Sequence, residues 1–374
     1  MKTVIINCFD TYEERVDLIR DFFIDQGHAV TVIQSDFRHI KKVHRTDRKK
    51  DFIFVKSKPY YKNISVSRLL SHYNFAKDAI KLVKEIKPDL LYVIVPPNSL
   101  AKFAAQYKRE HDDLKLIFDL MDLWPETMPV GKIKKFPPFN YWRVMRDSSL
   151  IFSDFVITEC NLYQLVLGNV LNGLKTATVF LAKRDINVIS TPILSENEMH
   201  LCYLGSINSL IDISMIKSIL KSINDIKPTT LHIIGDGESK DLLVSEAEEA
   251  GAKVAYYGKI YDPQEKQNIF DRCHFGLNIM KESVCVGLTM KSIDYFQYGV
   301  PIINNIQGDT VELVNKFGIG FNILNENIEQ FARTVTACDI DGLMRQRQNT
   351  REVFEELFSS KSFSSMLERV VANI

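Results

Sequence analysis

The sequence predicts an α/β fold of two doubly wound, Rossmann-like domains facing each other across a cleft. Three observations carry this expectation. The chain has 374 residues, enough for two domains of roughly 100–200 residues each. Short, continuously apolar runs alternate with amphipathic stretches through both halves, the pattern of parallel strands covered by helices on both faces. A composition of 45% hydrophobic and 25% charged residues supplies two cores and excludes a disordered, collagen-like or disulfide-scaffold chain.

The first half opens with a strand over 3–9 (TVIINCF), an amphipathic stretch over Glu13–Gln26, and strands over 29–35 and 51–57. A long helix over Val66–Lys84 precedes a strand over 90–96, a helix over Leu100–Arg109 and a strand over 115–122. After a proline-rich break come a helix near Tyr141–Phe152, a strand over 155–160 (FVITEC), another helix and a strand over 176–182. Residues 183–198 keep no sustained period. A second strand–helix series then starts at 201–206 (LCYLGS), with later strands over 230–237, 253–260, 274–280 and 300–305 and an amphipathic helix over Ser362–Ile374. The expected division is an N-terminal domain over 1–184, a linker over 185–198, a C-terminal domain over 199–355, and a closing helix over 356–374. Open parallel sheets bind ligands at their carboxyl ends, so function is expected in the loops after the strands.

Several classes are excluded. The longest apolar runs, such as Leu90–Pro97, fall far short of the roughly 20 residues that cross a bilayer, and the N-terminus shows no signal-peptide pattern. The six cysteines are scattered without metal-ligand spacing, which suits reduced thiols in a cytoplasm. Residues 1–190 carry 30 Lys and Arg against 22 Asp and Glu, leaving 17 against 25 for the remainder. That split argues against a nucleic-acid binder and gives the N-terminal half an affinity for something anionic, a membrane face or a phosphorylated substrate. The eight histidines form no HxxxH and no triad spacing, so no metal and no cofactor is expected. Asp339-Ile340-Asp341 matches a DxD metal motif in form only, because it lies in a late polar turn.

The first strand ends in Asn7-Cys8-Phe9-Asp10-Thr11-Tyr12, without the glycines that a dinucleotide pyrophosphate needs. Asp10 either caps the next helix in a box with Glu13, or lines the site together with Tyr12. In Asp119–Glu126 (DLMDLWPE), Trp124 is a platform for a sugar ring or a core plug, and Asp122 and Glu126 are candidate acceptors of sugar hydroxyls. Segment 131–146 mixes basic and aromatic residues and is either an anionic-membrane contact, at about 1 kcal/mol per basic residue, or a solvated loop and ordinary helix.

In the second half Gly205-Ser206 and Gly235-Asp236-Gly237 each end a strand before a helix, where backbone N–H groups can face a phosphate. Gly258-Lys259 follows another strand, where main chain can pair with a base. The sharpest constellation is 287–301, GLTMKSIDYFQYGVP. Thr289 is a good N-cap, the run to Tyr298 is helical, and Gly299 closes it. Lys291 then opposes the helix dipole, at about 0.3–1 kcal/mol, which makes sense if a diphosphate sits beside Met290 and Lys291. Asp294, nearly one turn on, is placed to accept two vicinal ribose hydroxyls.

This layout resembles the GT-B-fold glycosyltransferases, specifically the large retaining group (family 4-like) that contains bacterial capsule and exopolysaccharide transferases. The resemblance spans essentially the whole chain and rests on 287–305 (GLTMKSIDYFQYGVPIINN), similar to that family's donor-site helix, and on 121–127 (MDLWPET), similar to a loop of the polysaccharide branch. It implies that Asp294 binds the ribose, Lys291 the diphosphate, Gly258 and Lys259 the base, and that Asp122 lies near the acceptor or the transferred sugar. The N-terminal domain would bind the acceptor and the C-terminal domain the nucleotide sugar. The family's first acid, eight positions before Asp294, falls on Val286, with Glu282 the nearest acid; its basic pair after the second domain's first strand is replaced by Ser206 and its neighbours.

The expectation is therefore a glycosyltransferase, a hexosyltransferase of cytoplasmic or peripheral inner-membrane location. It would move a sugar from a nucleotide-sugar donor, UDP-linked, to a lipid-linked or oligosaccharide acceptor, with retention and without metal. Two rivals share the fold: a nucleotide-sugar 2-epimerase, and a non-catalytic partner subunit of a transferase.

Overall fold

Strands that are apolar at every position have no wetted face, and here they are buried accordingly: all six residues of Leu90–Val95 are inaccessible, as are five of the six in Lys2–Asn7. The computed structural model describes all residues except 64, 129–136, 138 and 325–326. The chain divides into two units, Met1–Lys183 with Ser360–Ile374, and Arg184–Ser359.

The first unit runs β1 (Lys2–Asn7), α1 (Glu13–Asp25), β2 (Ala29–Ser35), β3 (Phe37–Arg38), β4 (Val43–His44), β5 (Phe52–Val55), α2 (Val66–Ile86), β6 (Leu90–Val95), α3 (Asn98–Arg109), β7 (Lys115–Leu120), α4 (Phe139–Leu150), β8 (Phe155–Thr158), α5 (Asn161–Leu167) and β9 (Thr176–Thr178). Its seven strands are parallel in the order β5-β2-β1-β6-β7-β8-β9. The order reverses between β1 and β6, the point at which doubly wound sheets open a ligand crevice. The antiparallel β3–β4 hairpin was not expected from the sequence; two-residue strands carry too little periodicity to be read.

The second unit runs β10 (Met199–Ser206), α6 (Ile213–Asn224), β11 (Thr229–Asp236), α7 (Lys240–Glu249), β12 (Lys253–Gly258), α8 (Pro263–Phe270), β13 (Phe275–Asn278), α9 (Met290–Gln297), β14 (Ile302–Asn304), α10 (Asp309–Phe317), β15 (Gly320–Asn322), α11 (Ile328–Thr336) and α12 (Ile340–Val353). Its parallel order is β12-β11-β10-β13-β14-β15, reversing between β10 and β13. Local chemistry fixes the helix starts: Asp212 and Asp262 cap α6 and α8 through their carboxylates, and Pro263 occupies the first turn of α8, where its missing N–H costs nothing. The edge strand β15 was also unexpected.

Residues 185–198, expected as a linker, lie along the second unit. Ser190 Oγ donates to Asp271 Oδ1 at 2.8 Å, Ile193 N to the Asp271 carbonyl at 2.8 Å, and the Arg351 guanidinium to Ser190 Oγ. The closing segment also divides differently from the 356–374 expected. Residues 356–359 stay with the second unit, where Phe358 packs on Phe296 with ring centroids 5.7 Å apart. The final helix α13 (Ser360–Val371) belongs to the first unit. There Arg15 sits over the Phe363 ring at 5.2 Å and Lys175 Nζ donates to the Asn373 carbonyl. Cys8, Cys160, Cys202 and Cys273 are buried.

Candidate functional site

In the second unit the carboxyl ends of β10 and β11 approach so closely that side chains are excluded. A Cβ on Gly235 would lie 1.9 Å from the Gly205 carbonyl oxygen, and one on Gly237 would lie 2.3 Å from that of Ile207. Gly205 and Gly235 also hold φ of +103° and +151°, which L side chains rarely adopt. The bare backbone so presented adjoins α9. Thr289 caps that helix in a box with Ser292, its Oγ1 accepting from Ser292 N at 3.0 Å and donating to Asn278 Oδ1 at 2.9 Å. Asn278 in turn donates to Asn304, and Asn304 to Asn322, at 2.9 and 2.8 Å. This amide ladder across β13, β14 and β15 anchors the start of α9 to the sheet.

Lys291, in the first turn of α9, reaches back toward Gly205. A Cβ there would stand 3.9 Å from its Cε, and its Nζ lies 3.9 Å from the centroid of Tyr203, the β10 residue two positions before that glycine. Among the described residues no carboxylate lies within ion-pair distance of it. Burial without compensation pulls the ammonium down to about 7, and a cation held beside a helix N-terminus is opposed by the dipole as well. The arrangement is short of one negative charge and is shaped to receive it at the switch point of the sheet.

The other sequence candidates of this unit are distributed around that centre. Met290 is exposed and Asp294 half-buried on α9, with Gly299 at φ +67° just beyond the helix. Ser206 is exposed at the end of β10. Gly258 ends β12 at φ +67°, and the neighbouring Lys259 pairs with Asp236 at 3.6 Å. Glu282 is exposed on the wall of a separate recess of about 430 Å³ with Asp212, Asn305 and Gln307, and none of the α9 residues lines it. The structure does not bring Glu282 to Lys291. Asp339 is simply the cap of α12, accepting from Gly342 N, and no group of three His, Cys, Asp or Glu side chains among the described residues could hold a metal.

In the first unit the loops after β1, β7 and β8 bring a different chemistry together. Asp122 Oδ2 accepts from Trp124 Nε1 at 2.7 Å while Oδ1 accepts from the Thr127 hydroxyl. Burial raises its carboxyl above the ordinary range. Glu159, directly after β8, is buried and held well above its ordinary value by that burial and by the nearby charge of Asp122. The same two acids, after burial, raise the Tyr12 hydroxyl. Carboxyl groups raised by burial at strand ends are the usual material of general acid–base work. Glu159 was missed in the sequence, although an acid ending an apolar strand was a legible signal.

Trp124 is buried in an aromatic cluster, stacked on His72 with centroids 5.9 Å apart and covered by the Arg68 guanidinium at 4.6 Å. Asp10 does not form the expected box with Glu13. A short 3-10 turn (Asp10–Tyr12) intervenes before α1, so Asp10 Oδ1 accepts from His39 N at 2.8 Å and Glu13 is bound by Gln34 and Arg45. Glu126 is engaged by Arg146, which is 1% exposed, through two hydrogen bonds of 2.9 Å, a framework pair rather than a free acceptor of sugar hydroxyls. Of the basic–aromatic segment 131–146, residues 131–136 and 138 lie outside the described residues; the remainder opens α4 with Tyr141 and Arg143 exposed. No helix among the described residues is long and apolar enough to cross a membrane.

No family profile and no characterised protein matches this chain by sequence. By fold it is similar to sucrose-phosphate synthase from Thermosynechococcus elongatus, with TM-score 0.74 and 12% identity over 100% of this chain and 98% of that one. It is similar as well to Anabaena HepE in complex with UDP, at 0.71 and 14% over the whole of both chains. A lipopolysaccharide outer core galactosyltransferase, WaaB, matches at 0.67 and 14%, again over both chains in full. The fold is the GT-B architecture, built from two parallel-sheet, Rossmann-like units.

Proposed function

We propose that this protein is a glycosyltransferase that takes a UDP-linked sugar in its second unit and transfers the sugar to a lipid-linked or oligosaccharide acceptor. One observation carries the reading: the half-buried Lys291, its ammonium desolvated against the Tyr203 ring and lacking any carboxylate partner among the described residues, at the capped start of α9 and beside a glycine-lined strand end. Arriving diphosphate supplies the missing charge, returns the lysine to its protonated state, and leaves the developing leaving-group charge facing N–H groups and an ammonium. No metal is needed for that step. Asp294 would hold the ribose, and the main chain at Gly258 the base. HepE binding UDP in the same fold supports a uridine donor.

In the first unit the raised carboxyl of Glu159 would serve the acceptor, with Asp122, raised as well, beside it and holding Trp124 and Thr127 in place. Retention of anomeric configuration and a place in capsule or exopolysaccharide synthesis belong to the same proposal, and association with an inner membrane face follows from a lipid-linked acceptor. The test is incubation with UDP-sugars, with and without phosphorylated lipid acceptors, followed by anomer-resolved analysis of products. Acceptor-dependent release of UDP is the expected result. Interconversion of the sugar nucleotide without any acceptor would identify an epimerase, and absence of both reactions together with absence of UDP binding would identify a non-catalytic subunit.

A further inference from the structure

Arg68 is a second cation in need of an anion, and it lies in the first unit. Only 8% exposed, it makes no ion pair among the described residues, and its Nε is buried without a hydrogen-bond partner. Its Nη1 donates to the Asn63 carbonyl at 2.6 Å, and its guanidinium is packed on the faces of Trp124 and Tyr60. The nearby Asp122 is committed to the Trp124 indole and to Thr127, and Asp10 to His39 N. Other neighbours add positive charge or none. Lys42 Nζ lies 4.9 Å over the Tyr60 ring, and burial together with Arg68 itself depresses both His39 and Lys42. A buried, unpaired guanidinium is expensive, which marks it as a waiting partner for an anion.

Arg68 lines a cavity of about 370 Å³ that opens at the N-terminal turn of α2. The remaining walls are chiefly carbon: Leu69, Trp124, Met128, Tyr141 and Trp142. A sugar would need several free hydroxyl partners; of the polar groups that also line the cavity, Asn63 is engaged by Lys42 and Ser65 by the cap of α2, leaving chiefly the Tyr141 hydroxyl, whereas a hydrocarbon chain needs none. Val66, Leu70, Tyr141 and Val144 stand 50–71% exposed on the same two helices, α2 and α4, as a surface entered from a lipid phase would.

We infer that this cavity is a binding site for a phosphate ester on a long apolar chain, with Arg68 and the start of α2 taking the phosphate and the Trp124–Trp142 walls taking the first part of the chain. Its role as an acceptor subsite rests on the transferase reading above; the binding itself does not.

Both tryptophans of the protein line the cavity, so the whole intrinsic tryptophan emission reports on it. The experiment is titration of the full chain with monomeric octyl phosphate, octyl glucoside and inorganic phosphate, following that emission. Octyl phosphate should produce a saturable change, with the other two at least about tenfold weaker, because only it satisfies cation and carbon together. Arg68→Gln should lose about tenfold for octyl phosphate and nothing for octyl glucoside, while Arg68→Lys recovers part of the loss. Equal binding of octyl glucoside and octyl phosphate to the wild-type protein would overturn the inference without recourse to any variant, as would an unchanged octyl phosphate affinity in a folded Arg68→Gln protein. UDP titrated into the same samples separates the two readings. UDP binding without octyl phosphate binding removes this site and leaves the transferase; the reverse removes the donor site and leaves this one.

Discussion

The two units share one construction and arrive at opposite chemistries at their strand ends. Twelve of the sixteen glycines fall within residues 184–359, and those at 205, 235 and 237 strip side chains away so that bare backbone and a single lysine are left at the strand ends. The first unit has no glycine in the loops after β1 and β7 among the described residues, and fills those ends with side chains: Tyr12, Asp122, Trp124 and Arg68. Backbone N–H groups suit a phosphate, which every nucleotide donor carries. Side chains suit an acceptor, whose chemistry differs from enzyme to enzyme. The same strand–helix grammar can thus carry a generic half-site and a particular one.

The largest test of that contrast is structural. The Glu126–Arg146 pair holds the loop of Trp124 in the side-chain-built unit, with Arg146 almost fully buried. Glu126→Ala removes two charge-assisted hydrogen bonds from that guanidinium, which keeps only Asp147 at 2.7 Å as an ionic partner, and should cost about 3 kcal/mol, seen as a clear fall in thermal unfolding temperature. A melting temperature within a degree or two of wild type would return Glu126 to the candidates for acceptor binding.

Lys291→Ala should do the converse in the backbone-built unit. Turnover should fall by about 10²–10³, the scale of losing one transition-state charge donor, while the unfolding temperature stays level or rises because a desolvated cation has gone. Loss of stability instead would make Lys291 a framework residue.

Acid should separate the units next. His232 and His274 are buried and His200 half-buried in one chain, with His200 Nδ1 and His232 Nε2 2.9 Å apart and His232 Nδ1 2.9 Å from the Tyr257 hydroxyl. Burial lowers His232 and His274 to about 4, with Glu198, Lys253, Arg272 and Lys227 the charged groups around them. Their folded values lie below the unfolded value of 6.5, so the unfolded state binds more protons between the two. Stability is therefore full above 6.5 and falls as pH drops toward 4, by up to about 3 kcal/mol per histidine. Urea unfolding across that range should show the slope, and His232→Gln together with His274→Gln should largely remove it; an identical slope in the double variant would assign the acid response to His39 and His72 of the first unit. The smallest effect is at the cap: Thr289→Ala should cost about 1 kcal/mol and weaken UDP binding modestly, measured by unfolding and calorimetry together.

Much of this was legible in the sequence. Apolar runs located both parallel sheets, and Thr289 with the periodicity after it located α9 and its capped start, because capping and periodicity are local. Interactions between distant segments were not legible. Nothing near Arg68 in the chain announces that it will lie over Trp124, and Glu126 became half of a buried pair only through Arg146, twenty residues on. The box of Asp10 with Glu13, one of two readings, fails for the same reason, the Asp10 carboxylate accepting from His39 N in the turn of the β3–β4 hairpin rather than along its own helix.

The central claim is tested most directly by calorimetric titration of UDP near pH 8 in buffers of different ionisation enthalpy. Lys291, held at about 7 in the free protein, is then largely neutral and must regain its proton when the diphosphate arrives. The account predicts uptake of most of one proton per UDP bound, abolished in Lys291→Ala along with at least about tenfold of affinity. UDP binding of equal strength and without proton uptake in both proteins would contradict it.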